Sequence, residues 1–110
     1  MPSDALTLLP GTVDVLILKT LTFGPMHGYA LSSLVRQRSD GTLSLEDAAL
    51  YQGLHRLERK GLVESEWGLS ENNRRAKFYS LTTPGRAALR AELAQLRRYT
   101  TALFKVLELA

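Results

Sequence analysis

Apolar positions recur along this chain at two different periods, and the changes of period divide it into helices and a hairpin. After the break at Pro10 and Gly11, Val13, Leu16, Ile17 and Leu21 repeat at helical spacing, with Thr12 as the expected cap. Gly24 and Pro25 mark a turn, and Tyr29 to Gln37 reads as a second helix with Ala30, Leu31, Leu34 and Val35 as its inward stripe. Ser39 to Thr42 is a polar loop. Ser44 and Asp47 then have capping-box spacing before a third helix that ends at Gly61, a residue suited to the left-handed conformation that stops helices.

Beyond Gly61 the pattern becomes strand-like. Leu62 to Trp67 and Ala76 to Thr82 read as two strands, and the polar, Asn- and Arg-rich stretch from Gly68 to Arg75 reads as the loop between them. Thr83 is the expected cap of a last helix, with Pro84 at its first position, running almost to the end of the chain. Along it Leu89, Leu93, Leu96, Thr100, Leu103 and Leu107 alternate spacings of four and three, the seam by which helices associate. Such a stripe is commonly intramolecular core. A domain this small, however, has few elements to cover a helix of roughly 25 residues, so the seam is expected to join two copies of the chain. The predicted fold is mainly α within the α+β class: a winged helix-turn-helix with a two-stranded wing over residues 1–82, and a C-terminal dimerisation helix over 83–110.

The third helix carries the candidate chemistry. Leu50, Leu54 and Leu57 share one face, while Gln52, His55, Arg56 and Arg59 share another. Glutamine and arginine make paired hydrogen bonds to base edges, and a helix is the element that fits the major groove of DNA. Arg56 is the better placed of the two for bases; Gln52 suits adenine or is simply solvated surface. Tyr51 either donates its hydroxyl to a phosphate or packs in the core. Arg59 and Lys60 either neutralise phosphates or pair with Glu58 and Glu64. Tyr29 anchors the second helix to DNA or is buried against the first. Asn73, Arg74, Arg75 and Lys77 are expected on a projecting wing tip, where clustered cations suit a nucleic-acid backbone or the minor groove.

Composition narrows the picture modestly. The chain has 110 residues, 45% hydrophobic and 23% charged, as a single domain with a core requires. Its net charge of +3 and pI near 9.5 favour a polyanionic partner. Distribution matters more: from Arg74 onward eight cations face only Glu92 and Glu108. Cysteine is absent, which excludes disulfides, thiolate metal sites and thiol catalysis. Asp4 stands where a secretory leader would be basic, and the apolar run from Val15 to Leu18 is too short to span a bilayer, so a cytoplasmic protein without membrane association is expected. His27 and His55 belong to no nucleophile or metal motif, and no Walker or dinucleotide-binding pattern is present. Neither enzymatic activity nor a cofactor is expected.

Four segments together resemble the PadR family of winged-helix transcriptional regulators. They are residues 11–18 (GTVDVLIL), 24–29 (GPMHGY), 50–62 (LYQGLHRLERKGL) and 74–86 (RRAKFYSLTTPGR), whose order and spacing cover nearly the whole chain. The resemblance implies a homodimer that binds an inverted-repeat operator in double-stranded DNA, usually as a repressor. The terminal helices would join the protomers, in the short form of the family that has a single C-terminal helix. The two recognition helices would then enter successive major grooves about 34 Å apart.

The resemblance also implies release of DNA by a small hydrophobic or aromatic inducer, in some members held between tryptophans of the terminal helices. The only tryptophan here is Trp67, before the wing loop, so Tyr99 and Phe104 are the aromatic candidates on that helix. Two further departures fall in the recognition helix, where Ala49 replaces the Ser or Thr that similar proteins carry before the Leu-Tyr pair, and Gln52 replaces the Pro after it. The alternative is a winged helix serving protein interaction or structured RNA, since fold does not dictate partner.

Overall fold

A computed structural model describes residues 5–109; Asp4, and with it the expectation about a leader, lies outside the described residues. Helix α1 spans Thr12–Thr20 and runs into a single 3-10 turn, Leu21–Phe23; α2 spans Gly28–Arg38 and α3 Asp47–Arg59. Strands β1 (Val63–Leu69) and β2 (Arg75–Leu81) form an antiparallel hairpin, and α4 spans Thr83–Leu107. This is the winged helix-turn-helix with a long terminal helix that the periodicity predicts.

The helices converge on one apolar centre. Ile17, Leu18, Leu21, Leu31, Leu50, Leu54, Leu57 and Val63 are buried there, and Tyr79 and Leu89 close it from the hairpin and from α4. Each fully buried leucine or isoleucine contributes about 1.5–3 kcal/mol relative to exposure. Burial pushes the Tyr79 phenol above its usual range, and the charge of Glu58 adds to the effect, so the ring stays protonated.

Three helix starts differ from expectation. Gly11, at φ 87°, caps α1, and Thr12 lies inside the helix with its hydroxyl donating to the Leu9 carbonyl at 2.7 Å. Glu46, not Ser44, precedes α3, and no side chain caps it. Thr82, not Thr83, caps α4: its backbone is extended and its hydroxyl accepts from the Gly85 amide at 3.0 Å. The second helix begins at Gly28, with the His27 ring nitrogen Nδ1 accepting from the Ala30 amide at 3.2 Å. His27 is therefore a capping residue, and its ring also meets Phe78 edge-on at 5.3 Å.

The end of α3 is built as read, and in detail. Gly61 takes φ 74°, its amide donates to the Glu58 carbonyl at 3.0 Å, and the Leu62 amide donates to the Leu57 carbonyl at 2.9 Å. These two bonds are the Schellman pair that ends a helix in a left-handed residue. The Thr82 hydroxyl donates back to the Gly61 carbonyl at 2.7 Å, and the Thr82 amide donates to the Leu62 carbonyl at 3.2 Å. The end of α3, the hairpin base and the start of α4 are thus one junction. Gly85 fits it because a Cβ there would collide with the Leu62 carbonyl oxygen.

Two pairings escaped the sequence pattern. Met26 and Tyr79 exchange both backbone hydrogen bonds, at 3.0 and 2.8 Å, so the turn before α2 adds a one-residue third edge to the hairpin. The Leu6 amide donates to the Thr42 carbonyl at 2.6 Å, tying the N-terminal segment to the loop before α3. The strands also reach further toward the tip than read, leaving only residues 70–74 between them.

Gly85→Ala is expected to lower stability by about 1–3 kcal/mol through overpacking against a backbone carbonyl. Thr82→Ala is expected to cost about 1 kcal/mol through the lost cap. Urea midpoints measured by circular dichroism check both, and wild-type midpoints would refute the junction.

Candidate nucleic-acid interface

The position of α3 is set from beneath. Leu50, Leu54 and Leu57 are buried, and Gly53 lets the helix approach α1 closely: a Cβ there would lie 2.7 Å from Ile17 Cδ1 and 3.2 Å from Val13 Cγ1. The outward face carries Ala48, Tyr51, Gln52, His55, Arg56 and Arg59 along a shallow surface groove. Gln52, His55 and Arg59 fall at offsets of three and four and are all exposed.

Arg56 corrects the sequence expectation. Its guanidinium grips Asp14 of α1, Nη2 to one carboxylate oxygen and Nε to the other at 3.3 Å, and the side chain is only 39% exposed. The hydrogen bond to Asp14 raises the arginine's pKa further above its ordinary value. The paired donors expected to read a base edge are already occupied by a carboxylate. Arg56 therefore fixes α3 to α1, and the residues exposed at the middle of the groove are Gln52 and His55.

Both tyrosines belong to the N-terminal end of α2, Tyr29 as its second residue and Tyr51 by packing against its first. The Tyr51 hydroxyl and ring tip rest against Gly28, so close that a Cβ there would sit 2.5 Å from the oxygen, yet the residue remains partly open to solvent. Packing and outward presentation coexist in it. Tyr29 is 70% exposed, which removes the alternative of burial against α1. A helix N-terminus favours anions, so the Tyr51 hydroxyl stands where a phosphate is electrostatically welcome.

On the hairpin, the register pairs Trp67 with Lys77 and Leu69 with Arg75. Arg75 and Lys77 therefore belong to β2 rather than to the wing-tip loop, a second correction, because strand pairing continues to within one hydrogen-bonded pair of the turn. Lys77 Nζ lies 3.9 Å from Glu58 Oε1 and 5.8 Å from the centre of the Tyr79 ring, and Ser65 Oγ donates to Glu58 Oε2 at 2.6 Å. Lys77 thus braces the hairpin against α3. The tip is a three-residue loop in which Asn73 takes φ 59° and its amide donates to the Ser70 carbonyl at 2.8 Å. Asparagine tolerates this conformation better than most residues, so turn geometry accounts for Asn73. Arg74 is exposed beside it, and among the described residues neither Arg59 nor Lys60 enters an ion pair.

The seam of α4 is divided. Leu89 is buried in the chain's own core, contrary to its assignment as a dimer contact, and Leu96 packs on that core. Leu93 and Thr100 are half-buried; Leu103, Phe104, Val106 and Leu107 are exposed on the half that projects past the domain. Tyr99 and Phe104 are both exposed, but five residues apart they point about 140° from one another, so one chain alone does not bring them into a slot. Asp14 is the residue of this surface that the sequence did not announce. A carboxylate on α1 four residues from Leu18 has no local signature of a partner 42 positions away.

An exposed polar helix beside a cation-bearing hairpin defines the chain as a winged helix-turn-helix protein of the nucleic-acid-binding kind. Residues 17–91 match the family described as the transcriptional regulator PadR-like family, and the chain belongs to it. A PadR family transcriptional regulator from Eggerthella lenta is 33% identical, superposes with a TM-score of 0.77, and is matched over 91% of this chain and 85% of that one. A transcriptional regulator from Clostridium thermocellum is 27% identical with a TM-score of 0.79, over 86% of this chain and 92% of that one. An uncharacterised protein encoded in a transposon of Streptomyces fradiae is 36% identical over 92 residues, which make up 84% of this chain and 25% of that protein. Membership makes the chain a transcriptional regulator, a role exercised through DNA. Among the described residues no helix is long and apolar enough to cross a membrane.

Asp14→Ala and Arg56→Ala should be coupled in a double-mutant cycle by up to about 1 kcal/mol of folding stability, the partial exposure of Arg56 keeping the figure small. Additive losses in urea denaturation would show that the pair does not hold α3.

Proposed function

We propose that this regulator is a homodimeric repressor that binds an inverted-repeat operator, with Gln52 and His55 at the centre of the base-reading surface. The observation that carries this is the α3 face itself. Its middle presents hydrogen-bonding side chains with Tyr51 beside them, its C-terminal end presents Arg59 and Lys60, Tyr29 stands exposed on α2, and Arg74 and Arg75 stand on the adjacent hairpin. That is the distribution a duplex asks for: cations and hydroxyls toward the phosphates, and a helix toward the bases. A β-hairpin serving protein contact alone would have little use for unpaired cations at and beside its tip.

The dimer follows from α4. Its projecting half exposes Leu103, Phe104, Val106 and Leu107 together, an apolar stripe that a second copy of the same helix would cover. Leu93, Leu96 and Thr100 would continue the contact toward the domain. A flat hydrophobic inducer would bind between the two terminal helices, where Tyr99 and Phe104 are the aromatic side chains on offer. Such a ligand would act by changing the separation of the two α3 helices.

Binding of a labelled duplex from the protein's own promoter, challenged with scrambled duplex near physiological salt, tests the proposal. Retained binding under competition is the expected result; complete displacement would leave a non-specific binder or an interaction module. Gln52→Ala should weaken operator binding by about 1–3 kcal/mol if it reads a base, with little change on scrambled duplex. Leu103→Glu, which leaves the core untouched, should give monomers by analytical ultracentrifugation and weaken operator binding. Leu96→Glu is the poorer probe, because Leu96 packs on the chain's own core. A dimer that survives Leu103→Glu would place the interface elsewhere.

A further inference from the structure

Trp67, the only tryptophan of the chain, stands 59% exposed on the hairpin. A ring so open contributes little to the core, and its surroundings point to another use. The Arg75 guanidinium lies 4.5 Å from the ring centroid. Register places Arg75 opposite Leu69, so its side chain crosses diagonally to reach the ring, a span that long side chains cover on a hairpin face. That face is turned toward α3. Ser65 and Lys77 share it with Trp67, and both reach Glu58 of α3, through the 2.6 Å hydrogen bond and the 3.9 Å ion pair. Without the ring, Arg75 would be a long side chain sampling many rotamers on an exposed strand.

We propose that Trp67 is a positioning residue for DNA binding: its ring holds the Arg75 guanidinium on the α3 side of the wing, as a fixed cation for the sugar–phosphate backbone. The role rests on the DNA-binding function proposed above. Stacking uses the face of the guanidinium and leaves its in-plane N–H groups directed outward, so one arginine can lie on the ring and donate to a phosphate together. An ammonium, with its donors on a single nitrogen, does not combine the two in this way. The wing then meets the duplex with less ordering left to do.

The test uses the full-length protein and a labelled mixed-sequence duplex, with anisotropy followed over a salt series and Trp67 emission followed with unlabelled duplex. Trp67→Ala should bind roughly two- to fivefold more weakly, the size of an exposed cation–π contact, while Trp67→Phe should recover most of the loss. Arg75→Gln should lower the slope of log affinity against log salt by about one. The double variant should bind no more weakly than Arg75→Gln alone, and wild-type emission should change as duplex saturates. Arg75→Gln leaves the ring in place and should abolish most of that emission change, a readout independent of whether Trp67→Ala folds. With wild-type binding intact, an unaltered emission response in Arg75→Gln, unchanged affinity in Trp67→Ala, or losses that simply add would each overturn the role of Trp67 alone. A wild type that binds no duplex even at low salt would overturn the DNA-binding function, and this role with it.

Discussion

The close approach of α1 and α3 is the constraint from which the rest of the surface follows. It depends on the missing side chain of Gly53, which lets Val13 and Ile17 come up against the recognition helix, and on the Asp14 carboxylate that holds Arg56 at the border of the core. The first sets the distance between the helices and the second sets the rotation of α3 about its axis. With Leu50, Leu54 and Leu57 facing inward, Gln52 and His55 can only face out. A carboxylate gripping a guanidinium adds little net stability at a half-exposed site, but it is directional where apolar contact is not. Orientation, more than stability, is what Asp14 contributes.

The far end of α3 carries that orientation onward. Gly61 closes the helix, Thr82 bonds to Gly61 on one side and Gly85 on the other, and the Leu62 carbonyl lies where a side chain at Gly85 would be. Hairpin and α4 therefore leave the same point in fixed directions. A change in the direction of α4 cannot be absorbed at a loose joint and must be felt by α3. In a dimer joined through α4 this rigidity would convert the packing of two terminal helices into the spacing of two reading helices, which is the quantity a palindromic site measures.

How legible this was differs between elements for physical reasons. The helices, the hairpin and the stop at Gly61 were readable because each rests on local periodicity or on a single backbone preference. Helix starts shifted by one or two residues, since Thr82 and Thr83, or Ser44 and Glu46, offer similar chemistry and only the backbone path chooses between them. The Met26–Tyr79 pairing was invisible because a one-residue strand has no period. The outward face of α3 was legible as a whole, while the assignment within it was not. Arg56 lies on the same helical face as Gln52 and His55, and nothing local says that a carboxylate 42 positions earlier will take its guanidinium. Leu89 was misassigned for the complementary reason. A continuous stripe does not reveal where the protein's own core ends and a neighbour's surface begins.

The net charge of the chain understates how its cations are arranged. Arg56 is bound by Asp14 and Lys77 by Glu58, so two of the cations around the α3 face are paired within the protein. Those that remain outward, Arg59, Lys60, Arg74 and Arg75, stand at the edges of the α3 face and on the hairpin. A central guanidinium or ammonium would bind any duplex strongly through phosphates and would compete with discrimination between sequences. In the base-reading role proposed for Gln52 and His55, charge at the periphery would leave the centre to groups whose hydrogen bonds depend on which base is opposite. In that role internal ion pairing would do for specificity what removing the cations would do, while keeping the hold of Arg56 on α1 and of Lys77 on α3.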